Sequence, residues 1–359
     1  MKTTNSIANL CDYQLNPNRI GGMDAFFWQF DAVCKKNNIA VDWFFPNESE
    51  IIPYQNLNII SSNNQAIESF FLQFCAVNSR RYDVVFCHFL ELCTPFYYKV
   101  KQLFNCKIIA VDHNPRPMDG YSLKKQIEKK VKGFLFSKCI DQFVGVSKYT
   151  EKQICKDFGF FLKSKTITIY NGVLIENIKT QNHRNFDNPK FLVASHLRKS
   201  KGIQDLIDAV NMLADEIKAK LKIDIFGDGP YKEFLQQKVT NHNLNQQFNF
   251  VGNKPNLNEI YYRYDYMLQP THMECFSLSI LESLAANVPV VTTNVGGNEE
   301  CVTHNFNGFI FEAKNKNQLK NILQNILNKK CQITENTRQL IENQFTIEQM
   351  VTNHFNLLK

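Results

Sequence analysis

Short apolar segments alternate with longer amphipathic segments along the whole chain. In the first half, six apolar runs have the length of buried strands: Ser6–Cys11, Val41–Phe45, Val84–Cys87, Lys107–Val111, Gln142–Val146 and Thr166–Tyr170. Six more follow in the second half: Lys190–Ser195, Lys222–Phe226, Phe248–Val251, Tyr266–Leu268, Val288–Thr292 and Gly308–Phe311. The segments between them predict helices, among them Met23–Lys36, Lys124–Phe136, Ile203–Glu216 and Leu278–Ala286. This alternation predicts an α/β protein with parallel sheets covered by helices.

The chain is predicted to form two domains. Its 359 residues are too many for one typical core. Residues 176–189 are polar and lack periodicity, which is typical of a linker, so we expect domains at 1–175 and 176–359. The polar tail from Lys314 onward is predicted to be helical, and its last helix, at about 337–359, is long enough to pack back on the N-terminal domain.

Composition indicates a globular protein of a reducing compartment. Hydrophobic residues make up 44% and charged residues 21% of the chain, which excludes extensive disorder. No apolar run is long enough for a membrane-spanning helix, and the N-terminus lacks the pattern of a secretory signal. The eleven cysteines show neither CxxC pairs nor zinc-ligand spacing, so we expect reduced core thiols in a cytoplasmic protein and no metal site.

Positive charge is concentrated in the N-terminal half. Residues 1–175 hold 21 of the 41 Lys and Arg residues but 15 of the 34 Asp and Glu residues, within a net charge of +7. The segment 122–139 carries six lysines and one glutamate, with apolar residues at helical spacing: Leu123, Ile127, Val131, Phe134 and Leu135. Two interpretations stay open: a basic helix that contacts an anionic membrane, or a surface helix whose apolar stripe is core, with the second favoured for the stripe. No basic motif with interleaved aromatic residues is present, so a nucleic-acid partner is not predicted.

The segment 270–300 carries the strongest chemical signal. A predicted strand ends near Leu268, a loop carries Glu274, and a helix begins near Ser277 with Glu282 about two turns along. The first amides of that helix, at Phe276, Ser277 and Leu278, suit a diphosphate because a helix N-terminus carries partial positive charge and unpaired donors. A carboxylate further along can accept hydrogen bonds from a ribose diol. A bare pair of glutamates eight residues apart would also fit an ordinary amphipathic helix; the strand–loop–helix–strand setting favours the nucleotide site.

This segment resembles the nucleotide-sugar motif of family 4 glycosyltransferases, the retaining enzymes of GT-B fold. The matching residues are Glu274, Phe276, Glu282, Ala285, Pro289, Gly296, Gly297 and Glu300. Ser277 and Asn287 replace two glycines of the family pattern. The resemblance implies that Glu274 faces the donor sugar and that Glu282 binds the ribose hydroxyls. It also implies two Rossmann-like domains that face a central cleft, with acceptor binding in the first and donor binding in the second.

Further segments extend the resemblance. The stretch FLVASHLRKSKGIQDLIDA is similar to the family's diphosphate-binding loop, which implies that Lys201 binds the donor phosphates. His196 occupies the family's arginine position, and Arg198, two residues on, is expected to replace it. RIGGMDAFFWQF resembles the loop that opens the first helix, with Gly21 and Gly22 near the donor phosphate. His113 follows a strand where the family places a histidine beside the transferred sugar, so we assign it to the active site; His88 ranks second.

The resemblance implies a retaining transferase that moves a hexosyl group from a nucleoside-diphosphate sugar to a hydroxyl of a glycan or lipid-linked acceptor, in synthesis of cell-surface polysaccharide, lipopolysaccharide or another glycoconjugate. It implies no cofactor and no metal, and the chain has no Asp-x-Asp motif. A cytoplasmic protein, peripheral at the inner face of the membrane through 122–139, fits these expectations. Two alternatives stay open: a nucleotide-sugar epimerase of similar fold, and a non-catalytic sugar-nucleotide-binding protein.

Overall fold

The structure is a computed structural model that describes residues 4–17 and 20–359. It divides into two compact units. The first unit runs to Gly172 and resumes with Ile347–Lys359, and the second unit is Val173–Thr346.

A parallel sheet of seven strands forms the centre of the first unit. The strands are β1 (Ser6–Cys11), β2 (Ala40–Phe45), β3 (Asn58–Ser61), β4 (Val84–His88), β5 (Lys107–Asp112), β6 (Gln142–Gly145) and β7 (Thr166–Thr168). Their order across the sheet is β3-β2-β1-β4-β5-β6-β7. The sequence pattern missed β3, because this edge strand is only partly buried and has no clean alternation of apolar and polar residues.

Helices cover both faces of this sheet, as parallel strands require. The first six are α1 (Gly22–Lys36), α2 (Ile52–Gln55), α3 (Ile67–Asn78), α4 (Pro95–Leu103), α5 (Leu123–Phe136) and α6 (Lys148–Phe158). Short 3-10 helices follow α5 and α6 at Ser137–Cys139 and Phe160–Lys165. One core cluster joins β1, β4 and β5 to α3 and α4, with Phe71, Tyr97 and Val100 fully buried at its centre.

The second unit repeats this design with a six-stranded parallel sheet. Its strands are β8 (Phe191–Ala194), β9 (Ile223–Phe226), β10 (Phe248–Gly252), β11 (Tyr266–Gln269), β12 (Val290–Thr293) and β13 (Gly308–Phe311), in the order β10-β9-β8-β11-β12-β13. Its helices are α7 (Ile203–Asn211), α8 (Asp215–Lys218), α9 (Lys232–Asn241), α10 (Leu278–Ala285), α11 (Lys316–Leu327) and α12 (Arg338–Gln344). The 3-10 helices of this unit are Ile175–Asn177, Lys199–Lys201, Leu257–Glu259, Tyr261–Arg263 and Asn298–Glu300. The predicted helix 203–216 is divided in two, because the chain turns at 212–214 and places Leu213 in the core.

The polar segment 176–189 is attached to the second unit. Gln181 is buried, and its backbone amide donates to the carbonyl of Ala286 at 2.9 Å. Arg184 donates to the carbonyl oxygens of Asn287 and Ile333 at 2.9 and 2.8 Å. The segment is therefore polar because its side chains bind the rest of the second unit. Residues 178–189 form no helix or strand.

The last helix, α13 (Ile347–Asn356), belongs to the first unit and packs against α1. It buries Ile347, Met350 and Val351, spaced three and four residues apart on one face. All eleven cysteines are free, and ten of them are buried, so they pack as small apolar side chains. Within residues 4–17 and 20–359, no helix has the length and apolar character needed to cross a membrane.

Candidate active site

The helix α10 begins at a capped N-terminus directly after β11 and a short loop. Ser277 is the N-cap residue, and its hydroxyl accepts a hydrogen bond from the amide of Ile280. Gln269, at the end of β11, donates to the same hydroxyl at 2.7 Å and fixes its orientation. Helix geometry leaves the amides of Leu278 and Ser279 without acceptors in their own helix. These two donors and the helix dipole can hold an anion at this point.

The loop that carries Lys201 is fastened to the loop that carries Glu274. The hydroxyl of Thr271 donates to the carbonyl of Ser200 at 3.3 Å, and the amide of His272 donates to the same carbonyl at 2.7 Å. As a result the ammonium of Lys201 lies 2.7 Å from Oε2 of Glu274, and both side chains are only partly buried. A cation and a carboxylate therefore meet beside the N-terminus of α10.

Two glycines make this approach of loops possible. Gly202 has φ +70°, and a Cβ there would lie 1.7 Å from the carbonyl oxygen of Pro270. Gly296 has φ +65°, and a Cβ there would lie 2.0 Å from the carbonyl oxygen of Glu274. Both positions exclude any other residue, because a side chain would clash with backbone in a left-handed conformation. Gly202, which follows Lys201, and Gly296, which belongs to the motif, thus hold the loops of Lys201 and Glu274 in place.

Glu282 lies on α10, partly buried, and accepts a hydrogen bond from the hydroxyl of Tyr261 at 2.9 Å. Burial raises the pKa of Glu282 to about 7, and the hydrogen bond from Tyr261 opposes that rise. The carboxyl group is therefore held close to its midpoint of ionisation at neutral pH. Tyr261 is fully buried and was not found by sequence reasoning, since a tyrosine in a short 3-10 helix carries no motif signal.

The two residues that replace family glycines have defined structural roles. Ser277 provides the helix cap described above. Asn287 adopts φ +60°, a left-handed conformation that asparagine tolerates better than most residues. Its side chain accepts from Arg184 at 2.6 Å and from the amide of Thr337 at 3.0 Å. Both replacements thus make hydrogen bonds that a glycine side chain could not make.

Other predicted donor contacts differ in their surroundings. Arg198 is exposed, and its guanidinium makes no hydrogen bond or ion pair to the described part of the chain. Phe276 is buried with its ring 5.3 Å from that of Phe345, so only its backbone could contact a phosphate. The structure pairs Lys201 with Glu274, three residues before the N-cap Ser277 and the first helical residue Leu278, and places Glu282 farther along the same helix.

In the first unit, Gly21 is the N-cap of α1 and Gly22 its first residue. The amide of Gly21 already donates to Oδ2 of Asp24 at 2.8 Å. Asp24 is fully buried and also accepts hydrogen bonds from the hydroxyls of Tyr13 and Tyr54. The amide of Gly21, which was expected to approach the donor phosphate, is thus already hydrogen-bonded to the carboxylate of Asp24. The fold uses this loop for the contact of the Asp24 carboxylate with the N-cap amide, which is one half of a capping box and which the glycine pattern alone did not reveal.

His113 and His88 form a pair at the carboxyl ends of β5 and β4. Nδ1 of His88 lies 3.2 Å from Nε2 of His113, whose ring stacks on Phe89 at 4.1 Å between centroids. Burial, with a smaller contribution from the neighbouring His354, lowers the pKa of His113 to about 3. Burial also lowers the pKa of His88 and brings that of His354 to about 4. All three imidazoles are therefore neutral at physiological pH.

Nε2 of His88 is buried without a hydrogen-bond partner in the part of the chain that the structure describes. An unpaired acceptor costs less than an unpaired donor, so the favoured tautomer of His88 carries its proton on Nδ1. Nδ1 then donates to Nε2 of His113, and the proton of His113 lies on its own Nδ1. In this arrangement His113 can act as a neutral hydrogen-bond donor. Within the described residues, no group of three or more His, Cys, Asp and Glu side chains could hold a metal ion.

Solved structures share this fold over nearly the whole chain. The crystal structure of Anabaena HepE in complex with UDP-glucose superposes with a TM-score of 0.78 and covers 98% of this chain and 99% of that one, at 16% identity. The chain has the GT-B fold. This follows from its two Rossmann-like units, with parallel sheets of seven and six strands, and from the likeness to HepE.

The sequence comparisons identify the class of domain. Residues 175–346 match the family model of group 1 glycosyl transferases. An uncharacterized glycosyltransferase of Methanocaldococcus jannaschii is 28% identical over 208 residues, which are 56% of this chain and about half, 55%, of that relative. The O-antigen biosynthesis glycosyltransferase WclY of Escherichia coli is 24% identical over 89% of this chain and 90% of that one. The matched residues thus make up almost the whole of the second unit, which resembles a group 1 glycosyltransferase domain.

Proposed function

We propose that this protein transfers a hexosyl group from a nucleoside-diphosphate sugar to an acceptor hydroxyl, with retention of anomeric configuration. The observation that carries the proposal is the pairing of Lys201 with Glu274 beside the capped N-terminus of α10, with Glu282 on the same helix. This set offers a cation, helix amides and a ribose acceptor within one unit. Retention and the hexosyl group rest on the family resemblance.

The donor diphosphate is proposed to bind at Lys201 and the amides of α10, with Arg198 as a second cation. As the glycosidic bond breaks, its electron pair passes to the leaving diphosphate oxygen, and the negative charge that develops there is stabilised by the ammonium and the helix dipole. The proton of the acceptor hydroxyl passes to the same diphosphate as the new glycosidic bond forms. Protein cations take the part that a divalent ion plays in other transferases.

Glu274 and His113 are proposed to contact the transferred sugar, and Glu282 the ribose. The ammonium of Lys201 has three N–H donors, so it can bind a phosphate oxygen and keep its contact with Glu274. The carboxylate of Glu274 can in turn accept hydrogen bonds from sugar hydroxyls. The pair thus keeps both groups oriented before the donor arrives.

The acceptor is proposed to be a glycan or lipid-linked glycan of the cell surface. WclY of Escherichia coli, which aligns over most of this chain, is named for O-antigen biosynthesis and supports this class of acceptor. A location in the cytoplasm or at the inner face of the membrane stays a prediction.

Purified protein should be screened with UDP-, GDP-, ADP- and dTDP-sugars in the presence of a chelator, starting with UDP-sugars because HepE binds UDP-glucose. Thermal stabilisation reports binding, and release of nucleoside diphosphate with an acceptor present reports transfer. A ligand at 100 times its dissociation constant should add about 2.7 kcal/mol of stability.

Glu282→Ala should abolish the stabilisation, whereas Glu299→Ala, at an exposed glutamate of the same unit, should not. Stabilisation by no donor, or equal stabilisation of both variants, would refute the site. Conversion of the donor sugar without any acceptor would indicate an epimerase instead.

A further inference from the structure

The apolar stripe of α5 faces solvent. Its side chains retain large exposed fractions: Leu123 77%, Ile127 64%, Val131 50%, Phe134 78% and Leu135 47%. The helical spacing of this stripe favoured a position in the core, and the structure shows it exposed. Single exposed apolar residues are normal, but five on one face of one helix form a patch of the kind that marks an interaction site.

The opposite side of α5 is the one that packs on the unit. Gly133 lies so close to α6 that a Cβ there would be 2.0 Å from the carbonyl oxygen of Phe158. Lys129 is buried and pairs with Asp157 at 3.2 Å, and Asp157 also pairs with Arg116 at 2.8 Å. The helix is thus held by a glycine contact and a buried ion-pair network, which leaves its apolar face unused by the fold.

Two phenylalanines extend the exposed patch beyond α5. Phe160 and Phe161, in the 3-10 helix after α6, are 76% and 59% exposed. The ammonium of Lys130 lies 5.8 Å from the centre of the Phe160 ring and donates to the carbonyl of Lys156. These contacts join the two elements into one surface, which we call the α5 face.

Positive charge surrounds the α5 face without acidic partners. Five exposed lysines on or beside it make no ion pair within residues 4–17 and 20–359: Lys124, Lys130, Lys138, Lys156 and Lys163. Lys125 and Lys132, by contrast, pair with Glu91 and Glu128. On an α-helix, Lys124 and Lys130 lie at the margins of the apolar stripe. Their aliphatic stems can lie along it while their ammonium groups remain in a polar layer.

We propose that the α5 face binds the surface of a lipid bilayer that contains anionic lipids. Its apolar residues would enter the boundary between headgroups and acyl chains, and its unpaired lysines would contact lipid phosphates. Charge complementarity selects this occupant, since a purely apolar partner would leave five ammonium groups without counter-charges. The inference is independent of the donor chemistry, so it can fail or succeed apart from the proposed transfer reaction.

Co-sedimentation of the full chain with vesicles tests this inference. We expect binding to phosphatidylcholine vesicles that contain phosphatidylglycerol, weak binding to phosphatidylcholine alone, and loss of binding as salt is raised. Ile127→Ser with Phe134→Ser should lower the partition coefficient more than tenfold, because both side chains lose their transfer into the bilayer. Lys124→Glu with Lys130→Glu should lower it at least about fivefold for each lysine.

Matched controls separate the α5 face from general surface effects. Val77→Ser changes an apolar residue that is 75% exposed on α3, and Lys254→Glu changes an exposed lysine of the second unit; both should bind vesicles as the unmodified protein does. Equal binding to neutral and anionic vesicles, or unchanged binding by the α5 variants, would overturn the proposal. A third outcome would also overturn the proposal: the wild type is a dimer, the variant with Ile127→Ser and Phe134→Ser is a monomer, and neither protein binds vesicles. A second copy of the chain would then cover the α5 face.

Discussion

The carboxyl group of Glu282 should lower the stability of the folded protein at alkaline pH. Burial raises its pKa to about 7, against an ordinary value of 4.5. Between these two values the folded state holds a proton that the unfolded state has lost, so stability falls as pH rises through that window. Glu282→Gln keeps the size of the side chain and can still accept the hydrogen bond of Tyr261, but it never ionises.

The magnitude follows from the shift. A displacement of this size corresponds to about 3 kcal/mol at pH values above both pKa values. Glu282 is only partly buried, so solvent screening reduces this figure, and we expect Glu282→Gln to raise the free energy of unfolding by about 1–3 kcal/mol at pH 8. At pH 4.5 the effect should fall to a few tenths of a kcal/mol, roughly RT ln 2, because the folded state is then protonated and the unfolded state about half protonated.

Urea denaturation of the wild type and of Glu282→Gln at pH 4.5, 6 and 8 measures this difference. Glu299→Gln, at an exposed position of the same unit, is the control and should show no pH-dependent difference. The stabilised variant should also bind nucleoside diphosphates more than tenfold more weakly, since the ribose loses a charged acceptor. A variant that is less stable than the wild type at pH 8, or equally stabilised at every pH, would refute the reasoning.

Three further predictions concern the same sites. Nucleoside diphosphate affinity, measured by calorimetry, should weaken about tenfold between pH 8 and pH 6 as Glu282 takes up its proton; a flat profile would contradict the ribose role. Gly296→Ala should lower the melting temperature far more than Gly252→Ala, because both glycines have positive φ but only a side chain at the first would clash with the backbone of Glu274. Similar losses of melting temperature in the two variants would show that the positive φ, and not the clash, causes the loss. The imidazole of His113 should remain neutral down to pH 5 in nitrogen-15 NMR spectra, with its proton on Nδ1; titration near pH 6.5, or a proton on Nε2, would contradict the buried pair with His88.

Hydrophobic periodicity was sufficient to predict the sheets. Each of the twelve predicted strands forms, because a strand covered on both faces reads as a continuous apolar run. The strand β3 escaped because an edge strand has one partner and little burial. Periodicity also predicted α5 correctly as a helix but gave the wrong orientation. Its apolar stripe has helical spacing whether it packs in a core or faces solvent, and the contact of Gly133 with α6 shows that the opposite side of the helix packs on the unit.

For the candidate site, sequence motifs located residues but not their partners. The positions of Lys201 and Glu274 followed from the motif pattern, yet their 2.7 Å contact depends on loops held together by Thr271 and His272. Tyr261 reaches Glu282 from 21 positions away, and His88 reaches His113 from 25. Contacts of this kind arise from the order of strands in the sheet, which no local pattern encodes.

The chain leaves the first unit after Gly172 and returns to it at Ile347, and Val173 and Thr346 pair as a parallel bridge. The second unit is therefore a continuous stretch whose two ends lie side by side. On the ribosome it can fold as soon as its own residues have emerged. The first unit must wait for α13, which covers α1 and brings His354 beside Phe26 at 4.8 Å. The half of the protein that is synthesised first is thus the half that is completed last, and a chain truncated before Ile347 would have a complete second unit and a first unit that lacks α13.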